Sequence, residues 1–274
     1  NYGGNMTITG AATIADNSAG HDGGGVFNDE GTMTITDATV IADNSAGHDH
    51  DGGGVYNNDG SMTITGATTI ASNSANNGGA VYNDGGIITI TGATTIADNS
   101  ARSSGGVYNY DGIMTITGAT MIANNSADTG AAIHNQGFVI TENSCRPYAK
   151  GSELTINDAR ITGNVAKEKG GGLFNGGTTF LMNAVFARNK AERTGDTFYN
   201  QGNITILLPL AAGHFVPGSL PFTCAIEECT SESDDEIVPC ATQRCDFERY
   251  TNRSMVTIAS GATNDDVPTP CGSD

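Results

Sequence analysis

Tryptophan is absent from the chain, and 12 Lys and Arg stand against 30 Asp and Glu, a formal charge of −18 over 274 residues. Such a surface offers no basic footprint for phosphates, which excludes nucleic acid as a partner. The sequence holds no run of about 18 apolar residues, so no helix of it would span a membrane. Aromatics make up only 6% and charged residues 15%, too few for an ordinary helical or α/β domain. Glycine is abundant, at 38 residues, but lacks the three-residue period that collagen needs. Disorder is excluded by apolar runs that recur throughout. No signal-peptide pattern is visible. Asn1-Tyr2-Gly3-Gly4-Asn5 reads as the middle of a repeat, so a longer parent chain with upstream repeats is expected.

The charge is uneven. Residues 1–137 hold 13 acidic residues and one basic one, Arg102. Residues 138–222 hold six acidic and eight basic, and residues 223–274 hold 11 acidic and three basic. The ordinary reading is solubility through self-repulsion and solvated faces.

What the sequence does have is a repeat. Met-Thr-Ile-Thr begins at Met6, Met33, Met62 and Met114, with Ile88-Thr89-Ile90-Thr91 standing in once. Ile-Ala-x-Asn-Ser-Ala follows at Ile14, Ile41, Ile70, Ile96 and Ile122. A Gly-Gly-x-Val-aromatic-Asn block ends at Asn28, Asn57 and Asn83, and a shortened copy ends at Asn109. Asn135, Asn175 and Asn200 continue that row at intervals of 29, 26, 26, 26, 40 and 25 residues, the long one holding an insertion at 138–152. Self-similarity at this period marks a solenoid.

Each repeat contains three strand-like runs. Met-Thr-Ile-Thr alternates apolar and hydroxyl side chains, which gives a strand one buried face. Thr-Ile-Ala and Gly-Val-Tyr favour extended chain, and Gly, Asn, Asp and Ser between them favour turns. The expected fold is all-β: a right-handed parallel β-helix of roughly seven or eight coils, about 26 residues each, over residues 1–207. Residues 208–274 form the expected disulfide-rich C-terminal cap.

One coil cannot bury its apolar side chains alone; stacked coils can. Ile8, Ile35, Ile64, Ile90, Ile116 and Ile156 should form one interior column, Ile14, Ile41, Ile70, Ile96, Ile122 and Ile161 a second, and Val26, Val55, Val81, Val107, Ile133 and Leu173 a third. Two asparagine ladders are expected at the bends: Asn17, Asn44, Asn73, Asn99, Asn125, Asn164 and Asn189, and Asn28, Asn57, Asn83, Asn109, Asn135, Asn175 and Asn200. Stacked amides satisfy turn backbone that water cannot reach. Phe27, Tyr56, Tyr82, Tyr108, Phe174 and Tyr199 should stack as a ring ladder outside the core, able in principle to bind sugars but explained by stacking alone.

The chemistry-bearing residues are sparse. Outward positions of the best repeats are threonines, neither acid nor base at neutral pH: Thr7, Thr9, Thr34, Thr36, Thr63, Thr65, Thr89, Thr91, Thr115 and Thr117. They form the candidate binding face. Basic groups come late, at Arg160, Lys167, Lys169, Arg188, Lys190 and Arg193, where a carbohydrate-active site would need paired carboxylates beside them. Asp16, Asp43 and Asp98 share a repeat position, and His48-Asp49-His50-Asp51 is the densest ligand-like run. No catalytic residue, cofactor or metal is expected, because a metal site needs a closed ligand set.

Five cysteines, Cys224, Cys229, Cys240, Cys245 and Cys271, cluster in the tail, and Cys145 lies in the insertion. Their even number and spacing read as disulfides and an oxidising compartment. Asn5, Asn203 and Asn252 head Asn-x-Ser/Thr triplets, the candidate N-glycosylation sites.

Gly78-Gly79-Ala80-Val81 and Phe186-Ala187-Arg188-Asn189 resemble the GGA(I/L/V) and FxxN motifs of polymorphic outer membrane protein repeats, the chlamydial adhesin type, over about residues 1–207. The resemblance implies an extracellular β-helix used for adhesion or as a surface stalk. Departures are the cysteine-rich tail and the lack of an autotransporter barrel. The segment Leu208 to Pro217 is similar to the ending of algal surface repeat proteins. The expected function is structural or adhesive: a non-enzymatic, glycosylated subunit of a cell-surface assembly or filament, such as a flagellar hair or cell-wall appendage. Its expected partners are other protein subunits, copies of itself included, and glycans. One alternative is a polysaccharide-binding or polysaccharide-modifying β-helix. Another is an ice binder, since the Thr-x-Thr array resembles the face of insect β-helical antifreeze proteins.

Overall fold

Met33 and Ile35 lie two residues apart, as do Met62 and Ile64, so an extended chain sends both to one side and the intervening threonine to the other. A computed structural model shows this arrangement; it describes residues 1–137 and 151–209 and three further short strands, Glu228–Cys229, Glu236–Pro239 and Arg253–Ile258. Met33, Ile35, Met62, Ile64, Ile88, Ile90, Met114 and Ile116 are all essentially inaccessible to solvent. Burying each such side chain is worth about 1.5–3 kcal/mol. Pairing is parallel and in register: Met33 faces Met62, Ile64 faces Ile90 and Ile90 faces Ile116. The chain is an all-β parallel solenoid of about seven coils with about 26 residues per turn.

Four sheets run the length of the solenoid. The first holds Asn5–Ile8, Thr32–Ile35, Ser61–Ile64, Ile87–Ile90, Ile113–Thr117, Glu153–Asn157, Thr178–Met182 and Asn203–Pro209. The second stacks the Thr-Ile-Ala runs, from Thr13–Ala15 to Val185–Ala187. The third begins at Ser18–Ala19, and the fourth stacks the Val-aromatic-Asn runs from Val26–Asp29 onward. The expectation of three strands per coil is one short. Ser45–Ala46 is only two residues long, too brief to show any period. It is a strand because Ser18 and Ser74 pair with Ser45 from the coils on either side. Ala127, Ala166 and Ala191 of the third sheet, with Ala131 just beyond it, form a small core separate from the main one.

The tail strands pair differently. Arg253–Ile258 lies antiparallel to Asn203–Pro209, and Glu236–Pro239 antiparallel to Val185–Ala187.

The corner between the second and third sheets explains the aspartate column. Asp16, Asp43, Ser72, Asp98 and Asn124 all have positive φ, between 54° and 58°. Side chains such as Asp and Asn tolerate this left-handed conformation best among non-glycine residues. The column is therefore selected by backbone shape.

Candidate functional site

The first sheet carries the broadest repeated surface. Its outward rows begin with Thr7, Thr34, Thr63, Thr89 and Thr115, paired neighbour to neighbour. Thr9, Thr36, Thr65, Thr91 and Thr117 form the next row, each N–H from Thr36 to Thr91 donating to the isoleucine carbonyl of the coil before it. Thr7 and Thr9 are exposed and the others half-buried. A third outward row, not singled out in the sequence reading, holds Asn5, Thr32, Ser61, Ile87 and Ile113. The last two are 49% and 46% exposed and adjacent. Coil spacing of about 4.8 Å and outward spacing of about 7 Å along a strand follow from strand geometry. No Asp, Glu, Lys or Arg occupies these rows through Thr117. Asp37 sits at their edge, where the Thr9 hydroxyl donates at 2.7 Å and the Gly10 N–H at 3.0 Å, both lowering its pKa.

Asparagine and ring columns are committed to the scaffold. Asn73 Nδ2 donates to Asn99 Oδ1 at 3.0 Å and to the Ile41 carbonyl at 3.0 Å. Asn83 Nδ2 donates to Asn109 Oδ1 at 2.9 Å and to the Gly86 carbonyl at 2.8 Å. Both ladders run through every expected member, and Asn1 extends the second one. Phe27, Tyr56, Tyr82 and Tyr108 stack with centroids 5.3, 5.2 and 5.0 Å apart. The three tyrosines are at most 8% exposed, which closes their faces to a sugar ring. Burial is the leading cause of their raised pKa values.

Candidate ligand clusters separate on folding. His48 pairs with its neighbour Asp49 at 3.1 Å. His50 lies edge-on to His21 at 4.9 Å and 3.5 Å from Asp22. Asp51 turns away to accept from the backbone and side-chain nitrogens of Asn77, at 3.0 and 2.8 Å. Burial pushes its carboxyl up to about 6 despite those bonds. Among the described residues no three His, Cys, Asp or Glu are placed to hold a metal ion.

Three of the late basic residues are engaged. Lys167 pairs with Asp128 at 2.9 Å and Arg193 with Glu168 at 3.4 Å. Lys169 Nζ donates to the Tyr199 hydroxyl at 3.1 Å and lies 4.5 Å from that ring's centre.

Asn5 and Asn203 are exposed in one outward column of the first sheet. Asn252, Cys145, Cys224, Cys240, Cys245 and Cys271 lie outside the described residues, and Cys229 is described only as part of a strand backbone. An acceptor triplet that the sequence reading passed over, Asn124-Asn125-Ser126, stands at an exposed corner; a scan for Asn-x-Ser alone finds it.

Geometry places the chain in the class of parallel β-solenoids. No protein-family model, curated protein or solved structure matches it.

Proposed function

We propose that the chain is an extracellular structural or adhesive β-helix, a subunit of a cell-surface assembly. The observation that carries this reading is the charge-free threonine face. In a chain of net charge −18, the first sheet offers a repeating surface whose outward rows carry no charged residue through Thr117, with Asp37 only at its edge, so another body can settle there with little like-charge repulsion. The GGA(I/L/V) and FxxN motifs support the adhesin-type kinship, and the cysteines of the tail support an oxidising compartment. In this reading the tail covers the last coil, as solenoid ends require, and the algal-type ending suits a surface appendage.

The test is electron microscopy of the full chain together with immunolabelling of intact source cells. Filaments or a decorated surface are expected, with assembly lost on replacing Thr63, Thr89 and Thr115 by Lys. A monomer confined inside the cell overturns the reading.

Ice binding is the second reading, favoured by one observation: the Thr-x-Thr pairs stack in register over successive coils. Thermal hysteresis of the purified chain decides it.

A further inference from the structure

Asn124 and Asn125 are adjacent and have opposite surroundings. Asn125 is fully buried, and its Nδ2 donates to Asn164 Oδ1 at 3.0 Å and to the Ile96 carbonyl at 3.1 Å. Asn124 stands at the left-handed corner with φ 54°, its N–H donating to the Thr162 carbonyl at 3.1 Å and its side chain exposed. Asp16, Asp43, Ser72 and Asp98 hold the same corner in earlier coils, so the fold requires the backbone shape there and not an amide. With Asn at this corner and exposed Ser126 two residues on, an Asn-x-Ser triplet arises on the surface.

The ladder asparagines show the complementary pattern. In the first ladder the residue two positions on is always alanine, as at Asn44-Ser45-Ala46 and Asn125-Ser126-Ala127. In the second ladder it is Glu, Asp or Gly. None of these amides heads an acceptor triplet. A sugar on one of them would break the bond that links coil to coil, whereas a sugar on Asn124 would project into water.

We infer that Asn124 is a modification site, the acceptor of an N-linked glycan. The inference rests on the extracellular reading above. Nδ2 of Asn124 bonds to C1 of the first sugar of a lipid-pyrophosphate-linked oligosaccharide. The C1–O bond to pyrophosphate breaks, the lipid pyrophosphate leaves with that electron pair, and one amide proton is released. Transfer precedes folding, because the closed corner holds Asn124 N–H on Thr162 and Ser126 N–H on the Asn99 carbonyl at 2.9 Å. The finished coil then accepts the product without losing a hydrogen bond.

The test expresses the full chain with a secretory leader in a eukaryotic host, beside the same protein isolated from its own cells. Amidase removal of N-glycans in heavy-oxygen water leaves an isotope-marked Asp at each modified position. A mark at Asn124 is expected, abolished by Ser126→Ala and replaced by unmarked Asp in Asn124→Asp, with thermal unfolding of the deglycosylated proteins unchanged. Marks at Asn5 or Asn203 with Asn124 bare overturn the inference while secretion stands. No mark at any site in protein that immunolabelling places on its own cells overturns the inference while the extracellular reading stands; a monomer confined inside the cell overturns both.

Discussion

The imidazole of His134 lies 4.2 Å from the ring of Phe174, centroid to centroid, stacked in a column that tyrosine occupies in earlier coils. His134 Nε2 is 2.7 Å from Gln136 Oε1, so Nε2 carries the proton, and Nδ1 meets no hydrogen-bond partner. Burial holds its pKa down to about 4, with the Gln136 bond opposing that shift.

A histidine whose folded pKa lies below its unfolded value of about 6.5 destabilises the fold when it must charge. Its neutral form is compatible with the fold above pH 6.5, and stability falls as pH drops from there toward 4. The full shift corresponds to on the order of 3 kcal/mol. His134→Phe is expected to flatten this slope, with Tm at pH 5 moving toward its value at pH 7.5. A wild-type slope that persists in the variant would show that another group causes it.

Asp51 has the opposite sign. Its folded pKa of about 6 exceeds its ordinary 3.8, chiefly through burial, with the nearby charges of Asp22 and Asp84 adding to it. Its ionised form therefore costs stability, and that cost grows from pH 3.8 through 6 and persists above. Asp51→Asn keeps an oxygen for both Asn77 donors and removes the charge. At pH 7.5 a gain of about 1 kcal/mol is expected, discounted for the partial exposure of the group, and at pH 3.5 none. Urea titrations at the two pH values measure it; equal effects at both would refute the assignment.

The interior columns were legible because isoleucine, valine and asparagine recur at fixed spacing, and stacking turns spacing into contact. Ile64 and Ile90 pair as the repeat demands. The third sheet was not legible, because Ser45–Ala46 carries no period of its own and exists only by pairing. Tyr82 reads as an outward residue yet is 6% exposed; its neighbours in the ring stack and the loop at Gly78, a potential Cβ of which lies 2.9 Å from Tyr82 Cβ, close over it. Asp16 reads as a turn residue facing water before it reads as a ligand, and its exposed side chain and φ of 58° place it at such a corner. Of the candidate face, the threonines were legible and Ile87 and Ile113 were not, because they replace polar residues in the repeat.

Asn83 offers a test of the ladders. It accepts from Asn57 Nδ2 at 2.9 Å and donates to Asn109 and Gly86. Asn83→Ala leaves one N–H of Asn57 Nδ2 and Oδ1 of Asn109 buried without that partner, each worth about 1–3 kcal/mol, whereas the Gly86 carbonyl still accepts from the Ile113 N–H. A loss of about 3–5 kcal/mol in chemical denaturation is expected. Asn17→Ala, at an exposed member of the other ladder, should cost under about 1 kcal/mol, because water replaces the lost bonds. Similar losses for both would mean that the ladders do not act through burial.

Gly60 and Gly20 separate crowding from conformation. Neither has a positive φ, so any residue can adopt the backbone of either. A Cβ on Gly60 would sit 2.7 Å from the Gly31 carbonyl oxygen and 2.8 Å from Asn57 Oδ1, against backbone and a ladder amide that cannot withdraw. A Cβ on Gly20 would meet nothing within 4 Å. Ser152 fills the place of Gly60 in the coil after the insertion, where its hydroxyl accepts from the Asp111 N–H at 2.8 Å. Alanine brings the same Cβ without that bond. Gly60→Ala should therefore cost about 2–3 kcal/mol by overpacking. Gly20→Ala should be neutral or slightly stabilising, because alanine restricts the unfolded chain. Thermal unfolding of the two variants compares them directly: equal stability would mean that the coils sit farther apart at this corner than the ladder distances require.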